Sequence, residues 1–243
     1  MEVLAIIPAR AGSKGVLDKN IKFLAGYPLL AWSIKACLIS TSITRTILST
    51  DSKEYAKCGE VYGVEIPFLR PKEISQDQST DFEFINHALN FLSDTESYSP
   101  DLVVHIRPTT PLRDPMIIDS AVRLMESNYM DFTSMRSIQE MSESAYKSFE
   151  ILESRLVTSF NLEPSLDFSN KARQLYPKTY SANGYVDVLK PTFIRKNGKI
   201  HGDSVYPFIT PHVVEVDTTE DFEFIEFQVK KSSKVLTRLF GGI

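Results

Sequence analysis

The sequence has few cysteines, no long apolar run and no excess of positive charge. Its 243 residues include two cysteines, Cys37 and Cys58, which excludes a disulfide framework and favours a reducing cytoplasm. No stretch reaches the roughly 18 apolar residues of a membrane span, and the apolar residues 3–8 precede their basic neighbours, the reverse of a secretory signal. With 31 Asp and Glu against 27 Lys and Arg, no global basic field attracts nucleic acid. We therefore expect a cytoplasmic protein that binds neither membrane nor nucleic acid.

Apolar runs alternate along the chain with stretches in which apolar residues recur at intervals of three and four. The runs favour buried strands at 3–8, 44–50, 64–69, 102–106, 185–189 and 212–216. The spaced stretches favour helices at 28–40, 51–62, 82–92, 118–125 and 222–229. Repeated alternation of this kind predicts an α/β fold: a mostly parallel, doubly wound (Rossmann-like) sheet with helices on both faces and right-handed crossovers.

The alternation stops between residues 134 and 182. This segment is polar, with Ser, Glu, Lys and scattered aromatic residues, and it has no clear period of either kind. A chain of this length can close one sizeable α/β core. We therefore predict a single domain over 1–243 that carries 134–182 as an inserted segment.

The loop after the first strand has the composition of an anion site. From residue 6 it reads IIPARAGSKGVLDKN. Gly12 and Gly15 let backbone N–H groups approach an anion closely. The cationic and hydroxyl side chains of the loop are Arg10, Ser13, Lys14 and Lys19. Because ligands of open α/β sheets bind at the carboxyl ends of the strands, phosphate is the expected ligand.

The spacing of the glycines excludes two common kinds of phosphate-binding loop. It matches neither the Walker loop nor the G-x-G-x-x-G fingerprint, so kinase and dinucleotide interpretations lose their main support. On the loop alone, a surface loop with merely solvated lysines is the alternative interpretation.

Two carboxylates late in the chain could share a cation. Glu215 and Asp217 are two apart on a predicted strand, where a period of two places both side chains on one face. Mg²⁺ prefers a few carboxylate oxygens completed by phosphate oxygens and water. The alternative is a helix cap, in which Asp217, Thr218 or Thr219 accepts an N–H from the next helix. Asp51, which ends the second strand, could join the site but is expected to cap the helix that follows it.

Six separated stretches together resemble one family of enzymes. In chain order they are IIPARAGSKGVLDKNI (6–21), LSTDS (48–52), LRPKEISQD (69–77), RPTTPLR (107–113), SANG (181–184) and VEVDTTEDF (214–222). They are similar to motifs of the CMP-N-acylneuraminate (sialic/nonulosonic acid) cytidylyltransferases and span nearly the whole chain. The resemblance implies transfer of CMP from CTP to the anomeric hydroxyl of an acidic 2-keto-3-deoxy sugar, a nonulosonic acid, with release of pyrophosphate. It also implies Mg²⁺ as cofactor and a homodimer.

The resemblance, together with the loop composition, implies roles for individual residues. The catalytic set is Arg10, Lys14, Lys19 and Asp217. The nucleotide-binding set is Arg10, Gly12, Ser13, Lys14, Gly15, Lys19, Asn20, Arg70 and Thr80. The sugar-binding set is Arg107, Thr109, Lys147, Arg173, Gln174, Asn183 and Asp187. The metal ligands are Asp217 and Glu215, and Lys147 and Arg173 would reach across the dimer from the inserted segment.

The sequence departs from the family pattern at several positions. Ala11 replaces a glycine, and the residues at 16–18 lack the usual proline. In the expected sugar pocket, Arg107 stands where Gln is common, Ser181 where Arg often precedes Pro-Asn-Gly, and Asp187 where Tyr is common. Three changes in one pocket predict a sugar other than plain N-acetylneuraminate, with substituents that meet Arg107 and Asp187.

Some assignments stay open, and two other functions compete. Arg70 could be an exposed charge at a strand end, and Thr80 or Ser79 could cap the next helix instead of contacting cytosine. His105, alone in a buried strand, is expected to be packed rather than catalytic. The competing functions are a Kdo-type cytidylyltransferase and a catalytically silent nucleotide-binding protein of the same fold.

Overall fold

The structure is a computed structural model and describes residues 1–160 and 166–241. Its strands are β1 (Val3–Pro8), β2 (Phe23–Leu24), β3 (Tyr27–Pro28), β4 (Arg45–Ser49), β5 (Leu102–His105), β6 (Ser134–Glu140), β7 (Phe149–Leu152), β8 (Arg155–Thr158), β9 (Tyr180–Leu189) and β10 (Val205–Ile209). Its α-helices are α1 (Leu29–Ile39), α2 (Lys53–Val61), α3 (Asp81–Glu96), α4 (Pro115–Ser127), α5 (Pro191–Asn197), α6 (Thr219–Lys231) and α7 (Lys234–Phe240).

The central sheet has the strand order β10–β6–β9–β5–β1–β4. Strand β1 pairs in parallel with β4 and β5, and β6 pairs in parallel with β10. Strand β9 is antiparallel to both of its neighbours, β5 and β6. The predicted α/β class with a mostly parallel sheet is therefore confirmed, with β9 as the antiparallel strand of this sheet.

Helices cover both faces of the sheet because its inner strands are apolar on both. In β1, Val3, Ala5 and Ile7 belong to a core cluster that includes residues of α1 and α4. Leu4 and Ile6, on the other face, belong to a second cluster with residues of α3. Burial on both faces is typical of an uninterrupted apolar run in a parallel sheet. Among the described residues, no helix is both long enough and apolar enough to cross a membrane.

The predicted strand at 64–69 is wrong. This segment contributes only an isolated bridge between Ile47 and Glu65. Pro67 carries no N–H with which a longer ladder could be continued. The segment therefore runs beside β4 without widening the sheet.

The predicted strand at 212–216 is also wrong, and the edge of the sheet is formed by β10 instead. The N–H of Val213 donates to Gln139 Oε1 (2.9 Å), and that of Val216 donates to the Thr109 carbonyl (2.7 Å). These N–H groups donate to a side chain and to a loop carbonyl. The segment therefore has the composition of a strand but does not pair with one. The contact with Thr109 brings this part of the chain to the carboxyl end of β5.

The two ends of the predicted inserted segment, 134–182, lie in the central sheet. Strand β6 starts at Ser134, and β9 starts at Tyr180. Between them, β7 and β8 form a separate two-stranded sheet, and residues 161–165 lie outside the described part of the chain. We call the residues between β6 and β9, 141–179, the arm.

Candidate active site

The loop after β1, residues 9–20, is fixed by contacts with the start of α2. The N–H of Ala11 donates to Asp51 Oδ1 (2.9 Å), and the Tyr55 hydroxyl donates to Asp18 Oδ1 (3.0 Å). The expectation that Asp51 caps α2 is wrong, because Ser52 is the N-cap of that helix. Asp51 instead fixes the backbone of the loop, which we call the phosphate loop after its predicted ligand.

The phosphate loop contacts the acidic segment that precedes α6. Lys19 Nζ donates to the Val216 carbonyl (2.6 Å) and to Asp217 Oδ1 (3.1 Å). A Cβ at Gly15 would collide with the Asp217 carbonyl oxygen, so this close approach requires glycine. Gly12 has a φ of +73°, which glycine adopts without strain. The two regions that the sequence singled out are thus in contact.

Glu215 and Asp217 are held by different partners. Glu215 Oε1 accepts from the N–H of Gly184 on β9 (2.5 Å), whereas Asp217 pairs with Lys19 and has a side chain 72% exposed. Since this segment is not a strand, the argument that alternation places both carboxylates on one face is wrong. Thr218 is the N-cap of α6, so capping does not use Asp217. Asp217 therefore remains accessible beside the phosphate loop.

A cavity of about 250 Å³ lies at the carboxyl ends of the central strands. The predicted site residues that line it are Arg10, Ser13, Lys19, Asn20, Arg70, Arg107 and Thr109. Asp81 and Phe84 from α3 also line it, although no signal in the sequence singled them out. Cations from three separate segments of the chain thus converge on one cavity, which we call the nucleotide cavity after its predicted ligand.

Arg70 is buried, so the alternative of an exposed charge at a strand end is wrong. Arg70 is only 5% exposed, and its Nε donates to Ser49 Oγ (3.0 Å). The guanidinium carbon lies 4.8 Å from the centroid of the Phe84 ring, within the range of a cation–π contact. Burial lowers the pKa of Arg70 to about 10, which still leaves it cationic near pH 7.

Thr80 is the N-cap of α3. Its N–H and its hydroxyl both donate to Glu83 Oε2, at 2.5 and 3.0 Å. The capping alternative is therefore confirmed for Thr80, and a contact with cytosine stays a prediction. Ser79 lines the nucleotide cavity, and its hydroxyl accepts from the N–H of Gln76 (2.9 Å).

Arg107 is held between two carboxylates at the nucleotide cavity. It donates to Asp187 Oδ2 (2.9 Å) and to Asp81 Oδ2 (2.8 Å). The Asp187 side chain is 0% exposed, so its role in this structure is to position Arg107. His105 is packed as expected: burial, and then the charge of Arg107, lower its pKa to about 4, so the ring is neutral near pH 7.

Arg113, which is not among the predicted site residues, organises the same region. It is fully buried and donates to the carbonyls of Arg107, Thr110, Gly184 and Tyr185, the last at 2.6 Å. Burial lowers its pKa to about 10. Its place at the end of the RPTTPLR stretch was the available signal. These bonds tie the segment after β5, which carries Arg107, to β9.

The remaining cations of the predicted sugar site lie on the arm. Arg173 and Gln174 line a second cavity of about 430 Å³, where Arg173 Nη2 donates to the Met141 carbonyl (3.0 Å). Lys147 Nζ lies 5.6 Å from the centroid of the Tyr176 ring. Among the described residues, none lines both this cavity and the nucleotide cavity. A single chain therefore does not bring these residues to Arg107.

Asn183 is buried in the sheet, at 5% exposure. Its amide Nδ2 donates to Thr210 Oγ1 (2.8 Å), and its Oδ1 accepts from the N–H of Tyr185 (3.2 Å). In this structure its amide therefore joins β9 to the residue that follows β10, and a contact with sugar stays a prediction.

Comparison with known proteins adds to this geometry. A family profile described as "Cytidylyltransferase" matches residues 4–172, which is more than half of the chain. The chain belongs to the cytidylyltransferase family. The family and the nucleotidyltransferase class that the six motifs predicted are therefore confirmed.

Two named relatives match this chain over different lengths. The N-acylneuraminate cytidylyltransferase of Escherichia coli O18:K1:H7 is 42% identical over 126 residues, 52% of this chain, and the match covers 29% of that protein's length. The CMP-N,N'-diacetyllegionaminic acid synthase of Legionella pneumophila is 27% identical over 241 residues, 97% of this chain and 100% of that protein.

A solved structure supports the fold. The CMP:2-keto-3-deoxy-manno-octonic acid synthetase complexed with CTP superposes with a TM-score of 0.70 at 11% identity, over 95% of this chain and 99% of that chain. At this identity the likeness extends to the fold alone.

Proposed function

We propose that this cytidylyltransferase transfers CMP from CTP to the anomeric hydroxyl of a nonulosonic acid and releases pyrophosphate. The observation that carries the proposal is the contact between the phosphate loop and Asp217, beside a cavity that Arg10, Lys19 and Arg70 line together. A triphosphate in this place would meet cations on one side and a metal-binding carboxylate on the other.

The chemistry asked of these residues is positioning and charge stabilisation. The sugar hydroxyl oxygen attacks the α-phosphorus, the bond to the bridging oxygen breaks, and pyrophosphate leaves with the electron pair of that bond. The attacking hydroxyl loses its proton to solvent water. Arg10, Lys14 and Lys19 would stabilise the negative charge that grows on pyrophosphate. Electrostatic stabilisation of this kind is usually the largest single contribution to the rate of an enzymatic reaction.

Asp217 fits a role as ligand of Mg²⁺. Its carboxylate is accessible next to the phosphate loop, and Mg²⁺ is held by one or two carboxylates together with phosphate oxygens and water. Glu215 would be the second ligand, although one of its oxygens already accepts from Gly184. When bound, the ion would supply positive charge to the phosphates, and Lys19 would orient Asp217 towards it.

The sugar is proposed to be a nonulosonic acid other than plain N-acetylneuraminate. Arg107 uses two of its five N–H donors on Asp81 and Asp187. The others can donate to an acceptor substituent on the sugar, such as an amide carbonyl. The full-length relative named for a diacetylated legionaminic acid supports a modified sugar for this chain.

The proposed working form is a cytoplasmic homodimer in which the arm of one chain reaches the site of the other. Neither Lys147 nor Arg173 lines the nucleotide cavity of its own chain, so a contact of these two cations with the sugar carboxylate would come from a second copy. Measurement of the mass in solution tests this form: a monomer that is fully active would contradict it.

Turnover with a panel of sugars tests the proposed function. Pyrophosphate release is measured with CTP and N-acetylneuraminate, legionaminic acids, pseudaminic acid or Kdo in turn. We expect turnover with a diamino or deoxy nonulosonic acid. Exclusive use of N-acetylneuraminate would contradict the proposed sugar, exclusive use of Kdo would favour the Kdo-type enzyme, and no turnover with any of them would favour a silent nucleotide-binding protein.

A further inference from the structure

One carboxylate pairs with two cations of the phosphate loop. Asp77 Oδ1 lies 2.9 Å from Arg10 Nη2, and Asp77 Oδ2 pairs with Lys14 Nζ. The hydrogen bond and charge of Lys14 hold the pKa of Asp77 below its usual value, so this carboxylate is ionised near pH 7. Arg10 lines the nucleotide cavity, and both cations belong to the set proposed to hold phosphate.

Asp77 is carried by a short turn that connects two parts of the nucleotide cavity. The turn lies between Arg70 and Asp81, which both line the cavity. Within it, the Ser75 hydroxyl donates to the Pro71 carbonyl (2.9 Å). These contacts present a carboxylate to the phosphate loop at the rim of the site.

We propose that Asp77 is an internal counter-ion that competes with phosphate for Arg10 and Lys14. A carboxylate and a phosphate both accept hydrogen bonds from guanidinium and ammonium groups, and the negative charge of Asp77 beside Arg10 and Lys14 lowers the positive potential that a triphosphate would meet there. Asp77 therefore weakens the binding of CTP and of pyrophosphate and favours release of the product. The inference rests on the proposed function, in which Arg10 and Lys14 hold phosphate oxygens.

The test compares Asp77→Asn with the wild type in calorimetric titrations with CTP and with pyrophosphate, each with Mg²⁺. Removal of the competing charge is expected to lower both dissociation constants about three- to tenfold, since each partly exposed ion pair is worth a modest amount. The KM for CTP is expected to fall in the same direction. Tighter binding separates this role from a structural one, because damage to the loop would weaken binding.

Two matched variants complete the experiment. Glu73→Gln removes one negative charge from an exposed position of the same turn and is expected to change binding less than about twofold, because the ion pairs of Arg10 and Lys14 are with Asp77 and solvent screens an exposed charge. Asp77→Glu keeps the charge and is expected to bind CTP nearly as the wild type does. Asp77→Ser removes the same charge by a second substitution, and gives the same comparison if the asparagine variant does not fold.

The outcomes distinguish this inference from the proposed function. If the wild type binds CTP and the charge-removing variants bind it equally or more weakly, the counter-ion role is overturned while the proposed function stands. An equal gain in affinity for Glu73→Gln would also overturn it, because the general field of the turn would then be responsible. If the wild type binds neither CTP nor pyrophosphate, the proposed function fails and this inference fails with it.

Discussion

The phosphate loop is fixed by its own chain, whereas much of the arm is exposed. Asp51, Tyr55 and Lys19 connect the loop to β4, α2 and the segment before α6. On the arm, strand β7 is exposed along its whole length, and Ile151 is 76% exposed. A two-stranded hairpin with no covered apolar face is marginally stable at best in water. The difference is what the proposed homodimer would produce: one chain brings the loop, Asp217 and the nucleotide cavity together, and the exposed arm is left for the surface of a second copy.

The largest effect in this comparison of the phosphate loop with the arm is expected from Asp217→Ala, next to the loop. Loss of the proposed metal-binding carboxylate is expected to lower the rate of pyrophosphate release about a hundredfold, in line with the ~3 kcal/mol that one such electrostatic contact supplies. The rate is measured at saturating CTP and sugar. Glu220→Ala, at an exposed position in the first turn of α6, is the control and is expected to keep the wild-type rate. A rate near wild type for Asp217→Ala would show that the site lies elsewhere.

His105, which is fully buried next to Asp81 and Asp187, is expected to make the stability of the fold depend on pH. The pKa of His105 is about 4 in the folded chain and about 6.5 when unfolded, so the unfolded chain takes up this proton first as the pH falls. His105 therefore contributes stability that is present above pH 6.5 and is lost between pH 6.5 and 4, by up to about 3 kcal/mol. Urea titrations at several pH values in this window give the free energy of unfolding. It is expected to depend less steeply on pH in His105→Gln than in the wild type.

The control for that experiment is His212→Gln, at an exposed position. It is expected to keep the wild-type dependence of unfolding free energy on pH. Identical slopes for the wild type and His105→Gln would mean that His105 is not held neutral by burial.

A smaller effect is expected on the arm, from Arg173→Ala. If Arg173 of a second copy donates to the sugar carboxylate, its loss raises the KM for the sugar about tenfold, the value of one hydrogen bond to a charged group. The KM for CTP should stay the same, which separates the two halves of the site. Steady-state kinetics with each substrate varied in turn give both constants. Arg155→Ala, on the hairpin of the same arm, is the control. Equal changes in the KM for CTP and in the KM for the sugar with Arg173→Ala would contradict the assignment of Arg173 to the sugar site alone.

Sequence patterns predicted the parts of the fold in which burial decides the structure. Strand β1 and helix α3 were found because apolar runs and apolar stripes record which faces are covered. The same patterns failed at 64–69 and 212–216, since apolar composition does not reveal whether backbone N–H groups have a neighbouring strand. Strand β10 was missed because Pro207 interrupts its apolar run, although proline is tolerated at the edge of a sheet.

For the site, motifs predicted residues but not the contacts between them. Arg10, Lys19 and Arg70 carry charges that a phosphate loop needs, and the structure brings them to one cavity. Asp77, Asp81 and Arg113 act through partners on other segments, so their roles became visible only after the chain was folded. A single sequence records no such pairing.

The account depends most on the claim that the phosphate loop and Asp217 hold the triphosphate between them. A crystal structure with CTP and Mg²⁺ tests this directly. We expect the β- and γ-phosphate oxygens within hydrogen-bond distance of Arg10, Lys14 or Lys19, and the metal ion bound by Asp217. A triphosphate bound away from the loop, or a metal ion without a contact to Asp217, would contradict the account.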